Sequence, residues 1–236
     1  RPGDDPGWAH PDYDDSSWDK REVPGLWPEG GYPESGQMAW YRMRLQLSPE
    51  GDNPATERLS LAVGKVLSAY QLYAGGQLLG GVGSMPPGEA VEYDKLRIYP
   101  VPASALGPDG ELVLALRVWG GDAAAVAAWG AGPYEGEFLL GEYRELMMAT
   151  VMSETAAMLF SSFFIGFGIY HLYLFSRNRQ LRSFFWFGLM AINIGIYGLM
   201  LSQWKYTLGL PFLVYIKIEF GAIYLFPALG LQVVWA

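Results

Sequence analysis

Two hydrophobic periods divide this chain. Through the first 140 or so residues, apolar positions recur every second residue. From Glu111 to Trp119, Leu112, Leu114, Leu116 and Val118 alternate with Val113, Ala115, Arg117 and Trp119. From Trp40 to Leu47, Tyr41, Met43, Leu45 and Leu47 alternate with Trp40, Arg42, Arg44 and Gln46. A period of two predicts strands with one face on a core. Arg58 to Val63, Ala69 to Tyr73 and Leu96 to Val101 predict further strands, and Gly75-Gly76 after Tyr73 predicts a tight hairpin. Short strands between Gly/Pro-rich turns, without a long amphipathic helix, predict a β-sandwich.

The second half has no such alternation. Thr155 to Ser176 is 22 residues without a charge, Ser183 to Trp204 is another 22, and a third uncharged run follows Glu219. At ~1.5 Å per residue each full run makes about 33 Å of helix, enough for a hydrocarbon core of roughly 30 Å. The expected spans are about 153–176, 183–204 and 217–236. The first connector, Arg177-Asn178-Arg179-Gln180-Leu181-Arg182, carries three arginines and no acid. Arg177, Arg179 and Arg182 therefore set the topology, with 177–182 cytoplasmic and the first part outside. Lys205, Lys217 and Glu219 give the second connector a mixed charge. Trp186, Trp204 and Trp235 fall near span ends, where amphipathic aromatics favour the interface.

Charge sharpens the division. Residues 1–150 hold 11 Lys/Arg against 22 Asp/Glu, and residues 151–236 hold five against two. The acidity belongs to the first part and excludes nucleic acid as a partner, since phosphate binding needs a basic footprint. The chain has no cysteine, which removes thiol catalysis and Cys-ligated zinc and leaves core burial as the source of stability. A first residue other than Met, and an end inside an apolar run, read as a piece of a longer protein. The domain expectation is 1–145 for the β-sandwich and 146–236 for the start of the helical part.

Polar residues in the spans have two readings. His171 and Asn193 could line a ligand cavity or relay a proton; the plainer reading is an interhelical hydrogen bond. Gly166, Gly168, Gly188, Gly195 and Gly198 suit close helix packing. Near the start, Asp12, Asp14, Asp15 and Asp19 offer clustered oxygens for calcium, but their spacing fits no EF-hand, and Asp-Asp-Ser-Ser is also turn and cap material. Trp8, Trp18, Trp27 and Trp40 read as packing over the sandwich.

Gly7-Trp8, Asp12 to Trp18, Val23-Pro24-Gly25-Leu26-Trp27, Trp40-Tyr41-Arg42 and Leu72 to Gly80 together resemble the sugar-binding jelly-roll domain of glycoside hydrolases related to bacterial β-galactosidase and β-glucuronidase. Gly75-Gly76 stands where that family often has Asn-Gly. The resemblance covers about residues 7–140 and implies an all-β, galactose-binding-like jelly roll. Gly168 to Phe175, the arginine-rich turn and Ser183 to Gly188 are similar to the start of bacterial seven-transmembrane receptors with diverse intracellular signalling modules. That likeness implies seven spans, three of them visible, and a cytoplasmic kinase, cyclase or phosphatase beyond Ala236.

No nucleophile elbow, His-Glu-x-x-His, phosphate loop or dinucleotide fingerprint occurs. His10 and His171, the two histidines, lie on opposite sides of the division, which excludes a two-His metal site. No metal ligands and no cofactor are expected, and this stretch is expected to be no enzyme. Arg117, Trp119, Trp129 and Tyr134 flank Gly-rich turns and are the candidate ligand contacts, since stacking aromatics and hydrogen-bonding arginines suit a sandwich site. The expected protein is a sensor in the bacterial inner membrane. Its sandwich binds a small molecule or carbohydrate outside, and its helices relay the event. A membrane-tethered glycan-binding or hydrolase-related module is the alternative, and a homodimer remains open.

Overall fold

The structure is a computed structural model and describes residues 1–27, 38–47, 59–88, 91–92, 94–121 and 130–236. The chain divides into two compact units, Arg1–Met147 and Met148–Ala236.

The first unit is β-rich. Its strands are β1 (Met38–Gln46), β2 (Leu59–Val63), β3 (Lys65–Leu67), β4 (Ala69–Ala74), β5 (Gln77–Val82), β6 (Arg97–Pro100), β7 (Glu111–Trp119), β8 (Gly132–Glu135) and β9 (Leu139–Glu142). They form sheets of order β1-β7-β4-β5, β6-β2-β9 and β3-β8, antiparallel in every pairing. Each predicted strand is present with ends shifted by a residue or two; Arg58 lies outside the described residues. The Gly75-Gly76 turn joins β4 to β5 with φ of 53° and 81° at the two glycines, the positive-φ pair that a two-residue hairpin requires.

Strand β7 pairs on both sides, so Leu116 lies opposite both Tyr41 and Leu72. Leu112, Leu114, Leu116 and Val118 join Leu61, Val63 and Leu72 in one core shared by the sheets. The alternate row departs from the one-faced expectation. Val113, Ala115 and Trp119 are also buried, and over Ala115 the cover comes from residues 1–18, which lie on the outer face of the four-stranded sheet. Ala9, Trp40 and Ala115 make a second apolar cluster there, with Trp8, Trp18 and Tyr73 against it. Trp8 meets Trp18 edge-on at 5.3 Å and Trp40 stacks on Tyr73 at 5.5 Å.

The second unit holds three helices, each long and apolar enough to cross a membrane: α1 (Tyr143–Arg177, which starts in the first unit), α2 (Arg182–Leu201) and α3 (Phe212–Trp235). Large apolar side chains such as Phe163, Tyr224 and Leu231 are more than half exposed. Exposed apolar surface of this extent indicates membrane association, where lipid replaces water as solvent.

Two helix starts differ from the expected spans. Helix α1 begins ten residues before 153. Its 35 residues make roughly 52 Å at ~1.5 Å each, so a good part of it exceeds a ~30 Å hydrocarbon core. Helix α3 starts after Pro211, which places Lys217 and Glu219 within the helix and not in the connector. The connector contains a 3-10 turn over Gln203–Leu208.

Small residues set the approach of α1 and α2. A Cβ on Gly168 would lie 2.6 Å from the Gly188 carbonyl oxygen, and one on Gly195 would lie 2.7 Å from that of Ser161. Gly198 is equally tight against the Ser161 hydroxyl, whereas Gly166 faces open space and takes no part. Asn193 donates Nδ2 to the Ala222 carbonyl at 2.9 Å, the interhelical bond of the plainer reading. His171 departs from it: Nδ1 pairs with the Phe167 carbonyl of its own helix at 2.8 Å. Its ring sits among Phe167, Tyr170, Phe184 and Phe187.

Candidate functional site

The outer face of β1 presents Trp40, Arg42 and Arg44 in alternation. Arg42 keeps a side chain only 1% exposed. Its Nε donates to Asp15 Oδ2 at 2.7 Å, and its terminal nitrogens donate to the carbonyls of Trp8, His10, Pro11 and Tyr13. Arg44 adds bonds to Asp15, Glu111, Pro11 and Tyr13. A planar five-donor fork can satisfy several acceptors at once, so these two arginines pin the whole 8–15 loop onto the sheet. Burial alone would raise the Asp15 pKa; the two guanidiniums outweigh it and hold the carboxyl below its ordinary range.

Two of the four aspartates in the calcium reading are engaged within the loop. Asp14 Oδ1 accepts the Ser16 N–H at 3.0 Å and closes a turn, while Asp15 is engaged by arginines. Among the described residues, no group of three or more His, Asp or Glu gathers to hold a metal ion.

Of the four residues expected to contact ligand, three are described. Arg117 lies on the outer row of β7, and its Nε and a terminal nitrogen grip Asp4 at 2.8 and 2.6 Å while the other terminal nitrogen donates to Gln71 at 2.9 Å. Its hydrogen bonds hold the Asp4 carboxyl below the usual carboxylate range, and Asp4 in turn raises the Arg117 pKa. Trp119, on the same row, is 6% exposed. Arg117 belongs to the fastening of residues 1–18. Tyr134 is on β8, in a different sheet. Trp129 lies outside the described residues.

Two recesses on the β unit are better formed. The first, of about 360 Å3, is a polar mouth lined by Asp19, Lys20, Arg21 and Glu22 together with Trp27 and Tyr41. Trp27 is buried and donates Nε1 to the Tyr41 hydroxyl at 2.7 Å. Main-chain bonds from Gly25 to Pro133 and from Trp27 to Ala131, 2.7 and 2.9 Å, hold this wall in place. Gly132, with φ of 99°, passes so close that a Cβ there would stand 2.6 Å from Trp27 Nε1; only glycine leaves the Trp27–Tyr41 bond intact. The second recess, of about 320 Å3, is an apolar slot that shares Arg21 and Tyr41 with the mouth. It runs between the inner row of edge strand β1 (Tyr41, Met43, Leu45) and Leu61 and Leu140 on the facing strands. Its volume is at the lower end of small-molecule pockets, roughly 300–1,000 Å3.

The sequence reading missed the mouth because its lining comes from a loop without strand or helix periodicity. Tyr41 alone was legible as inward-facing, from the alternation of β1.

No protein-family model matches the chain, and no curated protein matches it. Among solved structures it is distantly similar to a calcium-binding mutant of Bacteroides uniformis beta-glucuronidase 2, at 20% identity and TM-score 0.44 over 59% of this chain. A Bifidobacterium dentium beta-glucuronidase complexed with coumarin-3-O-glucuronide matches at 20% identity and TM-score 0.37 over 49%. A glycosyl hydrolase family 2 member from Bacteroides cellulosilyticus DSM 14838 matches at 14% and 0.40 over 53%. The chain spans 16–17% of the length of these proteins.

Proposed function

We propose that this chain is the ligand-binding and membrane portion of a bacterial signalling receptor. In this reading the β unit is a galactose-binding-like jelly roll outside the inner membrane, and the 177–182 loop is cytoplasmic. One observation carries it: β9 ends at Glu142 and α1 begins at Tyr143, with no linker between. Strand β9 pairs in register with β2, Leu61 opposite Leu140, so a rearrangement of that sheet acts directly on the first turn of a membrane-length helix. A ligand shifts such an element only by binding its two states unequally. The three arginines at the α1–α2 connector support the orientation.

The test is hydrogen exchange on the 236-residue chain in lipid nanodiscs. A small molecule or glycan that binds the β unit is expected to change exchange over 143–150. Inserting Gly-Ser-Gly-Ser between Glu142 and Tyr143 is expected to abolish that change while leaving binding intact. Binding with no change in the uninterrupted chain would sink the receptor reading.

A glycan-binding or hydrolase-related module without signalling is the second reading, favoured by the presence of both Asp19 and Glu22 at the mouth. A pair of carboxylates is what glycoside hydrolysis uses. Release of chromophore from chromogenic glycosides would establish it; we expect none.

A further inference from the structure

We propose that the turn between α1 and α2 binds the head group of an anionic phospholipid, with Arg179 gripping its phosphodiester and Arg177 and Arg182 beside it. The inference needs only that the helices cross a bilayer, whichever way they run and whether or not the chain signals.

The turn is a strongly charged patch without a counter-charge of its own. Arg177, Arg179 and Arg182 are all exposed, and among the described residues none of them makes an ion pair or a side-chain hydrogen bond. The helical unit offers them no acid. Its carboxylate side chains are Glu154 and Glu219 alone. Glu154 lies about 35 Å along α1 from Arg177, where it accepts the Gln203 N–H at 2.6 Å. Asn193 meets the Ala222 carbonyl, which sets Glu219 roughly 20 Å along α2 from Arg182. Neither gap can be closed by side chains. The chain enters α1 at Tyr143, the end away from the turn. Cations placed like this at a bilayer surface draw their counter-ions from it, with a gain of about fivefold in affinity for each arginine.

Charge alone would give a diffuse attraction, and the geometry adds a site. The Arg179 guanidinium lies over the Phe175 ring at 4.9 Å. Phe175 packs on Phe185 at 5.1 Å, and Phe185 on Trp186 at 5.1 Å. Stacking fixes the plane of the guanidinium and leaves its N–H fork unused, and that fork matches two oxygens of a phosphodiester. The backbone beneath is also held. The Asn178 N–H donates to the Leu174 carbonyl at 3.0 Å, the Leu181 N–H to the Asn178 carbonyl at 3.1 Å, and the Gln180 N–H to Asn178 Oδ1 at 3.1 Å. Phe185 and Trp186 stand in the first turns of α2, the level at which interfacial aromatics meet head groups. The acyl chains of a lipid gain that ring surface, and a soluble anion leaves it unused.

The probe is phosphatidylglycerol, offered with an equal amount of phosphatidylcholine of the same chain length in nanodiscs that hold the full chain. Both leaflets are then alike, so orientation is no variable. Native mass spectrometry counts the lipids retained on release. One phosphatidylglycerol is expected to be kept at least tenfold in preference to phosphatidylcholine. Arg179→Gln should lower that preference about fivefold. Arg179→Lys keeps the charge but loses the stack and the fork, and should lower it about threefold. Arg144→Gln, at the start of α1, should leave it unchanged, as should added inorganic phosphate. An unchanged melting temperature would show each variant folded.

The proposal is overturned by equal retention of the two lipids or by an unaltered preference in folded Arg179→Gln. Full retention in Arg179→Lys, or a matching loss in Arg144→Gln, would reduce the effect to diffuse charge and overturn the site. Displacement of the lipid by inorganic phosphate would make a soluble anion the occupant and overturn it too. The receptor reading is judged separately, by exchange at 143–150, which none of these results alters.

Discussion

Each unit buries a cation, and the two solutions differ. In the β unit, Arg42 is enclosed by an aspartate and four loop carbonyls. In the helical unit, Lys205 is fully buried and donates Nζ to the Met200 carbonyl at 2.6 Å. Met200 lies in the last turn of α2, where carbonyls lack intrahelical partners and the helix dipole is negative. The guanidinium fork collects a whole loop, whereas the ammonium works as a point charge at one helix end. One cation organises a long segment of chain over a sheet, and the other closes a short connector.

The difference can be broken from either side. Arg42→Met should have the largest effect, since it removes the guanidinium from the Trp8 and His10 carbonyls and leaves Asp15 with Arg44 alone. Leaving buried hydrogen-bonding groups without a partner costs about 1–3 kcal/mol each. The expected result is a lower thermal midpoint for the first unit, read through the fluorescence of the Trp8–Trp18–Trp40 cluster. An unchanged midpoint would mean that the loop is not held by Arg42.

Gly195→Leu comes next. Its side chain would collide with the Ser161 carbonyl and force α1 from α2, at the ~1–3 kcal/mol typical of overpacking. Reversible unfolding in mixed micelles should show the loss, and Gly166→Leu, which meets open space, should show none. Lys205→Met should destabilise by up to ~2 kcal/mol, the range for a favourable charge at a helix C-terminus. Faster proteolysis within 202–209 is the readout.

A smaller effect comes from pH. Asp4 and Asp15 titrate below their ordinary value of 3.8 in the folded chain. Their contribution is therefore complete above about pH 4 and is lost as pH falls through the depressed folded values. Both are partly solvent-screened, and pairs of this kind are worth ~0–1 kcal/mol each. Acid melts of the first unit should steepen below pH 4 in the wild type and less so in Asp4→Asn. Asn193→Leu should cost the least, about 0.6 kcal/mol for a single interhelical bond. A loss several times larger would show that the bond to Ala222 sets the α2–α3 register.

The legible parts of the fold were those whose signal is local. The alternation in β1 and β7 assigned inward rows correctly. The Gly75-Gly76 turn was readable because only its own backbone decides it, and the apolar runs were readable because length and absence of charge suffice. Arg117 and Trp119 were drawn toward the surface by the same logic and turned out to be covered. The partner of Arg117, Asp4, lies 113 residues away in sequence, so no window contains both.

By itself the sequence determined the two solvents of this chain: an acidic, strand-forming part and three helices that lipid can accommodate. It also determined the arginine-rich turn between the first two helices. Tertiary structure alone decided what the charges of the β unit do. It turned Arg42, Arg44 and Arg117 into fasteners, and it set a polar mouth beside an apolar slot. A hydrophobic period records how often a residue is buried along its own element. It does not record which distant segment buries it, because that depends on contacts the chain makes only after the sheets have formed.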